Sequence, residues 1–121
     1  MGNSEVKKVE VNGKQYYLAF TINVMEALQS RYKDINVLFE ELVKADKDPM
    51  SIDMKMIIDF FEEMLIEGTD MHNEETGENI QPPTHKQAGR IIQAVGLGES
   101  AGIFRDLVVK STDTGEASKN A

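Results

Sequence analysis

The sequence contains no cysteine and no tryptophan, and only three of its 121 residues are proline. Without cysteine there can be no disulfide, no thiol nucleophile and no cysteine-ligated metal. Long apolar runs are also missing, since Met64, Leu65 and Ile66 are followed directly by Glu67 and a membrane span needs about 20 apolar residues. The N-terminus lacks the apolar stretch of a secretory signal. We therefore expect a cytoplasmic protein that does not enter a membrane.

Positive charge is scarce, with 13 basic residues against 21 acidic ones and a formal net charge of −8. Between Asp59 and Glu78 there are eight acids and no lysine or arginine. Such a field repels phosphate backbones, so we expect no nucleic-acid partner. Two interpretations of the stretch stay open. It is a solvated helix face that runs into a loop, or it docks on a basic protein surface through four acids: Asp59, Glu62, Glu63 and Glu67.

A β-hairpin is predicted near the N-terminus, in the segment VEVNGKQYYLAF. Asn12-Gly13 between two alternating runs is the strongest short-range hairpin signal. A two-residue turn pairs Val11 with Lys14 and Lys7 with Leu18, and places the apolar side chains on one face. A lone hairpin is marginal in water, so this face must rest on helices or on another subunit. Its members are Val9, Val11, Tyr16, Leu18 and Phe20.

Apolar residues at helical spacing then predict about five helices. Asn23 and Glu26 have the spacing of a capping box and indicate the start of the first helix. The third and longest helix covers residues 51–68, and Gly68 is predicted to end it, because glycine is the usual residue after a helix C-terminus.

A polar loop is predicted over residues 69–83, followed by a fourth helix that Thr84 and Gln87 begin with a capping box. The fifth helix closes the domain. We predict a mainly α (α+β) fold in which the N-terminal hairpin, residues 6–20, is followed by about five helices in a compact bundle, residues 22–110. Residues 1–110 form a single domain, and the small polar residues 111–121 form a flexible, disordered tail.

The segment GLGESAG, residues 96–102, contains the G-x-S-x-G spelling of a hydrolase nucleophile elbow around Ser100. An elbow needs a strand before the serine, but the preceding QAGRIIQAV has helical periodicity, and both histidines, His72 and His85, lie before Ser100. We predict instead that Gly96 ends the fourth helix with positive φ and that Ser100 caps the fifth. The acids near His72 lack the spacing of a calcium loop. No catalytic residue, metal or cofactor is expected.

The third helix carries more apolar residues than one face needs, several of them methionines. Methionine-lined surfaces suit proteins that accept varied helical partners. We predict partner binding through Met54, Ile57, Ile58 and Phe61, together with the hairpin face of Val9, Val11, Tyr16 and Leu18. The open hairpin edges offer a route to self-association by strand addition.

The order of elements resembles the tail assembly chaperones of long-tailed bacteriophages and prophages. The resemblance extends over roughly residues 6–110 and rests on the V-x-V-N-G-K-x-Y-x-L-x-F hairpin, INVMEALQSRY, the helix ending in EG, the acidic loop, THKQAGRIIQAVG and a short closing helix. It implies a non-enzymatic protein that binds the tape measure protein, and the tail tube protein, in the cytoplasm of the bacterial host and is absent from the mature virion. The alternative is an acidic regulatory protein that binds a basic protein surface.

Overall fold

The fold is mainly α with a small β part, as predicted. A computed structural model describes residues 6–34 and 36–120, and for residues 42, 45, 46, 49 and 111–120 it describes the backbone alone. Within these residues a two-stranded hairpin is followed by five α-helices. The elements are β1 (Lys7–Val11), β2 (Lys14–Leu18), α1 (Ile22–Arg31), α2 (Asn36–Lys47), a short 3-10 helix (Pro49–Ser51), α3 (Met54–Thr76), α4 (His85–Val95) and α5 (Leu97–Asn120).

The hairpin has the predicted register, with Val11 opposite Lys14 and Lys7 opposite Leu18. Asn12 and Gly13 both have positive φ, at 53° and 82°, which is the conformation of a type I′ turn. The twist of this turn matches that of the two strands, so the Asn-Gly dipeptide fixes which side chains share a face.

Helix α3 lies at the centre of the molecule and packs against β2, α1, α2 and α4. Its Phe60 and Phe61 contact Phe104 of α5, with ring centroids 5.4 and 4.7 Å apart. Phe20, which follows β2, meets Phe60 edge-on. All four rings are buried, and burying this much aromatic surface contributes strongly to the stability of the fold.

Helix α1 begins at Ile22, and its N-terminal cap is Thr21 rather than the predicted Asn23. The Thr21 hydroxyl accepts the Val24 N–H and donates to a Glu67 carboxylate oxygen at 2.7 Å. This second bond reaches across to α3, and it explains why the prediction from local spacing was wrong. At α4 the predicted capping box of Thr84 and Gln87 is confirmed.

The predicted end of α3 at Gly68 was wrong, and so was most of the predicted loop. The helix continues to Thr76 and is closed by Gly77, whose φ is 81°. Gly68 is buried inside the helix because the backbone of β2 passes directly over it, leaving no space for a Cβ. Beyond Gly68 the helix is held by His72, whose ring stacks on Tyr17 at 3.9 Å.

The junction of α4 and α5 is shorter than predicted. Gly96 has the expected positive φ, 104°, but α5 starts at Leu97, so Ser100 does not cap it. The Ser100 N–H donates to the Gly96 carbonyl at 2.9 Å as part of the helix. The tail was predicted for residues 111–121. The structure describes only the backbone of residues 111–120, within α5, and residue 121 lies outside the described residues.

Candidate partner-binding surface

An uncharged groove of about 400 Å³ lies where the start of α3 meets α4 and the start of α5. Met54 and Ile58 are one helical turn apart and therefore lie on the same face of α3. We call this the α3–α4 groove, and it is lined by Met54, Ile58, Gly89, Ile92, Gln93, Gly96 and Leu97. The volume falls in the range of about 300–1,000 Å³ typical of ligand sites, which is enough for a few large apolar side chains.

Two glycines give the α3–α4 groove its depth. A Cβ at Gly89 would meet the Ile58 Cδ1 at 3.5 Å, so α4 approaches α3 closely at this point. Gly96 ends α4 and lines the groove without a side chain. At the entrance, Met54 is 42% exposed. A flexible thioether at the entrance of an apolar groove can repack around different partners.

Only part of the predicted binding set is available on the surface. Ile57 and Phe61 are each 1% exposed and lie in the core, because α3 is covered on several sides. On the hairpin, Leu18 is fully buried. The other hairpin residues are half-buried and pack against the core: Val9, Val11 and Tyr16. The α3–α4 groove therefore retains Met54 and Ile58 of the original set. It adds residues of α4 and α5. The one sequence signal for them was Gly89, a glycine inside the otherwise amphipathic helix α4.

The acids predicted to dock on a basic protein are already engaged within the molecule. Glu63 forms an ion pair with Arg31 at 2.6 Å, and Glu62 lies 3.0 Å from the His85 Nδ1. Glu67 accepts hydrogen bonds from Thr21 and Asn23. These acids tie α1 and α4 to α3, so a basic partner would have to break these contacts.

Asp59 is the most deeply placed of these acids, at 3% exposure. One of its oxygens accepts from the Tyr32 hydroxyl and from the Lys55 Nζ at 2.8 Å. Burial alone would raise the pKa of Asp59, but the hydrogen bonds from Lys55 and Tyr32 and the charges of Lys55 and Arg31 outweigh it and lower the pKa. The carboxylate therefore stays ionised and holds α1 and α3 together.

Among the described residues, Asp59, Glu62 and His85 bring their ligand atoms within 4.8 Å of one another. Three such ligands could in geometry hold a divalent cation. However, Lys55 and Arg31 already neutralise Asp59, at 2.8 and 3.5 Å. Asp59 is therefore already ion-paired with Lys55 within α3 and with Arg31 of α1.

The contact between Tyr32 and Asp59 makes a testable pH prediction. Burial, together with the hydrogen bond to Asp59 and its negative charge, raises the pKa of Tyr32 from 10.0 to about 12. Because the folded pKa is the higher one, this contribution to stability is complete below about pH 10 and is lost as the pH rises through about 12. An ultraviolet titration should show one phenolate forming near pH 12.

The Tyr32→Phe variant provides the control for this titration. It should lack the late step and lose about 1.5 kcal/mol of unfolding free energy at neutral pH, because a charged acceptor is left short of one donor. If the wild-type titration is complete by about pH 11 while circular dichroism still shows folded helices, the hydrogen bond is not formed as described.

Ser100 cannot serve as a nucleophile in this fold. It is fully buried inside α5, and its hydroxyl has no hydrogen-bond partner among the described residues. A buried hydroxyl on a helix cannot reach a substrate, and the strand of a nucleophile elbow is replaced by α4. The G-x-S-x-G motif is thus part of the first turns of α5.

Comparison of the chain with protein-family models, with curated proteins and with solved structures gave no match. Among the described helices, none has an apolar stretch of the length that crossing a membrane requires.

Proposed function

We propose that this protein is a bacteriophage tail assembly chaperone that binds helical segments of the tape measure protein and keeps them in solution during tail assembly. The observation that carries the proposal is the uncharged α3–α4 groove, which has a methionine at its entrance and a glycine beneath it. The resemblance in element order suggests that the partner is the tape measure protein. It also suggests the tail tube protein as a second partner, a location in the host cytoplasm and absence from the finished virion.

The geometry of the α3–α4 groove suits an amphipathic helix. Such a helix presents apolar side chains at intervals of three and four residues, and these can enter a groove between two helices as anchors. Tape measure proteins are long and helix-rich, and their apolar stripes need to be covered before assembly. Binding through uncharged residues also predicts weak dependence on salt, because there are few charges to screen.

The key variant is Met54→Glu, tested against co-expressed tape measure protein. Met54 is the first residue of α3, where an acid is favourable to the helix dipole, so the unfolding free energy should change by less than about 0.5 kcal/mol. A carboxylate at the entrance of an apolar interface should weaken binding about 30-fold, or about 2 kcal/mol. Isothermal titration with a purified tape measure fragment measures this, and the soluble fraction after co-expression gives a second readout.

Ile22→Glu is the matched control. Ile22 is also an exposed apolar residue at the first position of a helix, 81% exposed, but it does not line the groove. This variant should bind like the wild type. A tape measure protein that is equally soluble without this partner would disprove the proposal. If high salt and charge reversal of Glu62, Glu63 and Glu67 abolish binding instead, the acidic surface is the docking site.

A further inference from the structure

The turn geometry determines which backbone groups of the hairpin point outward. A two-residue turn makes its flanking residues, Val11 and Lys14, a hydrogen-bonded pair, and such pairs then alternate along the ladder. On β1 the N–H and C=O groups of Lys8 and Glu10 therefore point away from β2. On β2 the outward groups belong to alternate residues beginning with Gln15.

The outer edge of β2 is covered by α3. The Ala19 N–H donates to the Met64 carbonyl at 3.1 Å, and the Tyr17 carbonyl lies against Gly68. This end of the edge, from Tyr17 to Ala19, is therefore closed to strand addition. The earlier expectation that both hairpin edges are open does not hold for this part of β2.

The outer edge of β1 remains open among the described residues. A groove of about 440 Å³ follows it, and every residue from Lys7 to Asn12 contributes to the lining. No backbone hydrogen bond joins the outward N–H and C=O groups of Lys8 and Glu10 to another described residue. Its opposite wall is formed by Ala94, Val95, Glu99 and Ile103.

We infer that the occupant of this edge is the β1 strand of a second copy of this chain, paired antiparallel about a two-fold axis at Val9. Outward-pointing residues must form the hydrogen-bonded pairs of the new ladder. In the register centred on Val9, Lys8 of each copy then lies directly opposite Glu10 of the other. Both exposed side chains project from the same face, which gives two reciprocal ion pairs.

The competing registers are unfavourable. Sliding the second strand by one residue breaks the hydrogen-bonding alternation. Sliding it by two residues places Lys8 opposite its own copy or Glu10 opposite its own copy, depending on the direction, and directly opposed like charges are destabilising. The sequence KKVEV is thus self-complementary in one register, and the product is a four-stranded antiparallel sheet with Val9 against its own copy at the centre.

Charge reversal at Lys8 and Glu10 tests the inference on the full chain. Both side chains are exposed, so the variants should fold normally. Lys8→Glu and Glu10→Lys should each raise the dimer dissociation constant at least about tenfold, because each turns two attractive pairs into repulsive ones. The double variant, Lys8→Glu with Glu10→Lys, restores complementarity and should return to within about threefold of the wild type. Sedimentation equilibrium over a range of concentrations measures all four proteins.

A mixing experiment provides a second readout. When the two single variants are mixed, one strand carries two acids and the other two bases, so they should form a heterodimer. Native mass spectrometry with one variant isotopically labelled detects it. Lys86→Glu, the same charge change on the exposed first turn of α4, should leave the dimer unchanged.

Three results would overturn the inference. One is a wild-type chain that stays monomeric at roughly millimolar concentration. Another is a dimer that Lys8→Glu and Glu10→Lys weaken no more than Lys86→Glu does. The third is a double variant as weak as the singles. Because these assays contain this chain alone, they are independent of whether it binds a tape measure protein.

Discussion

Replacing Gly68 with alanine is expected to destabilise the protein by about 3 kcal/mol, at the upper end of the usual effect of overpacking. The added Cβ would lie 2.5 Å from the Leu18 backbone N and against the Tyr17 carbonyl. Both are backbone atoms, so no side chain can rotate to make room. The hairpin would have to move off α3, which would also strain the hydrogen bond from Ala19 to Met64. Urea unfolding followed by circular dichroism measures the loss.

The control is the same substitution at Gly89, on the neighbouring helix α4. There the new Cβ meets the Ile58 Cδ1 at 3.5 Å, an ordinary contact. Since alanine is the better helix former, Gly89→Ala should gain about 0.5–1 kcal/mol. If Gly68→Ala were as stable as the wild type, the hairpin would not rest on α3 at Gly68.

Gly68 also shows how far local sequence rules reach in this protein. Hairpin register and helix periodicity depend on residues close in sequence, and here the Asn12-Gly13 turn and the capping box at Thr84 were predicted correctly. A glycine near the end of an apolar stripe has two explanations, a helix end or a close approach of another segment. To choose between them one must know that Leu18, fifty residues earlier in the chain, lies against Gly68. The periodicity of the helix carries no information about that contact.

The candidate site was predictable to a similar extent. The apolar excess on α3 indicated Met54, which is exposed, and Ile58, which is partly buried. It also indicated Ile57 and Phe61, which are buried, because the number of elements that pack around a helix cannot be read from its own sequence. The sequence left open whether the acids of α3 are solvated or dock on a basic partner, because their contacts within the molecule, such as Arg31 for Glu63, lie on other helices.

Replacing Phe104 with alanine is the second change for which we expect a large loss, about 3–5 kcal/mol, typical of a large-to-small substitution at a buried aromatic residue. Phe104 is fully buried and contacts both Phe60 and Phe61, so the cavity would open between α3 and α5. Phe104→Leu, which keeps most of the volume, should cost about 1.5 kcal/mol or less. The midpoint of urea unfolding should fall in the order wild type, Phe104→Leu, Phe104→Ala. If the alanine variant lost less than about 1 kcal/mol, α5 would not be part of the core, and the α5 wall of the α3–α4 groove would lose its support.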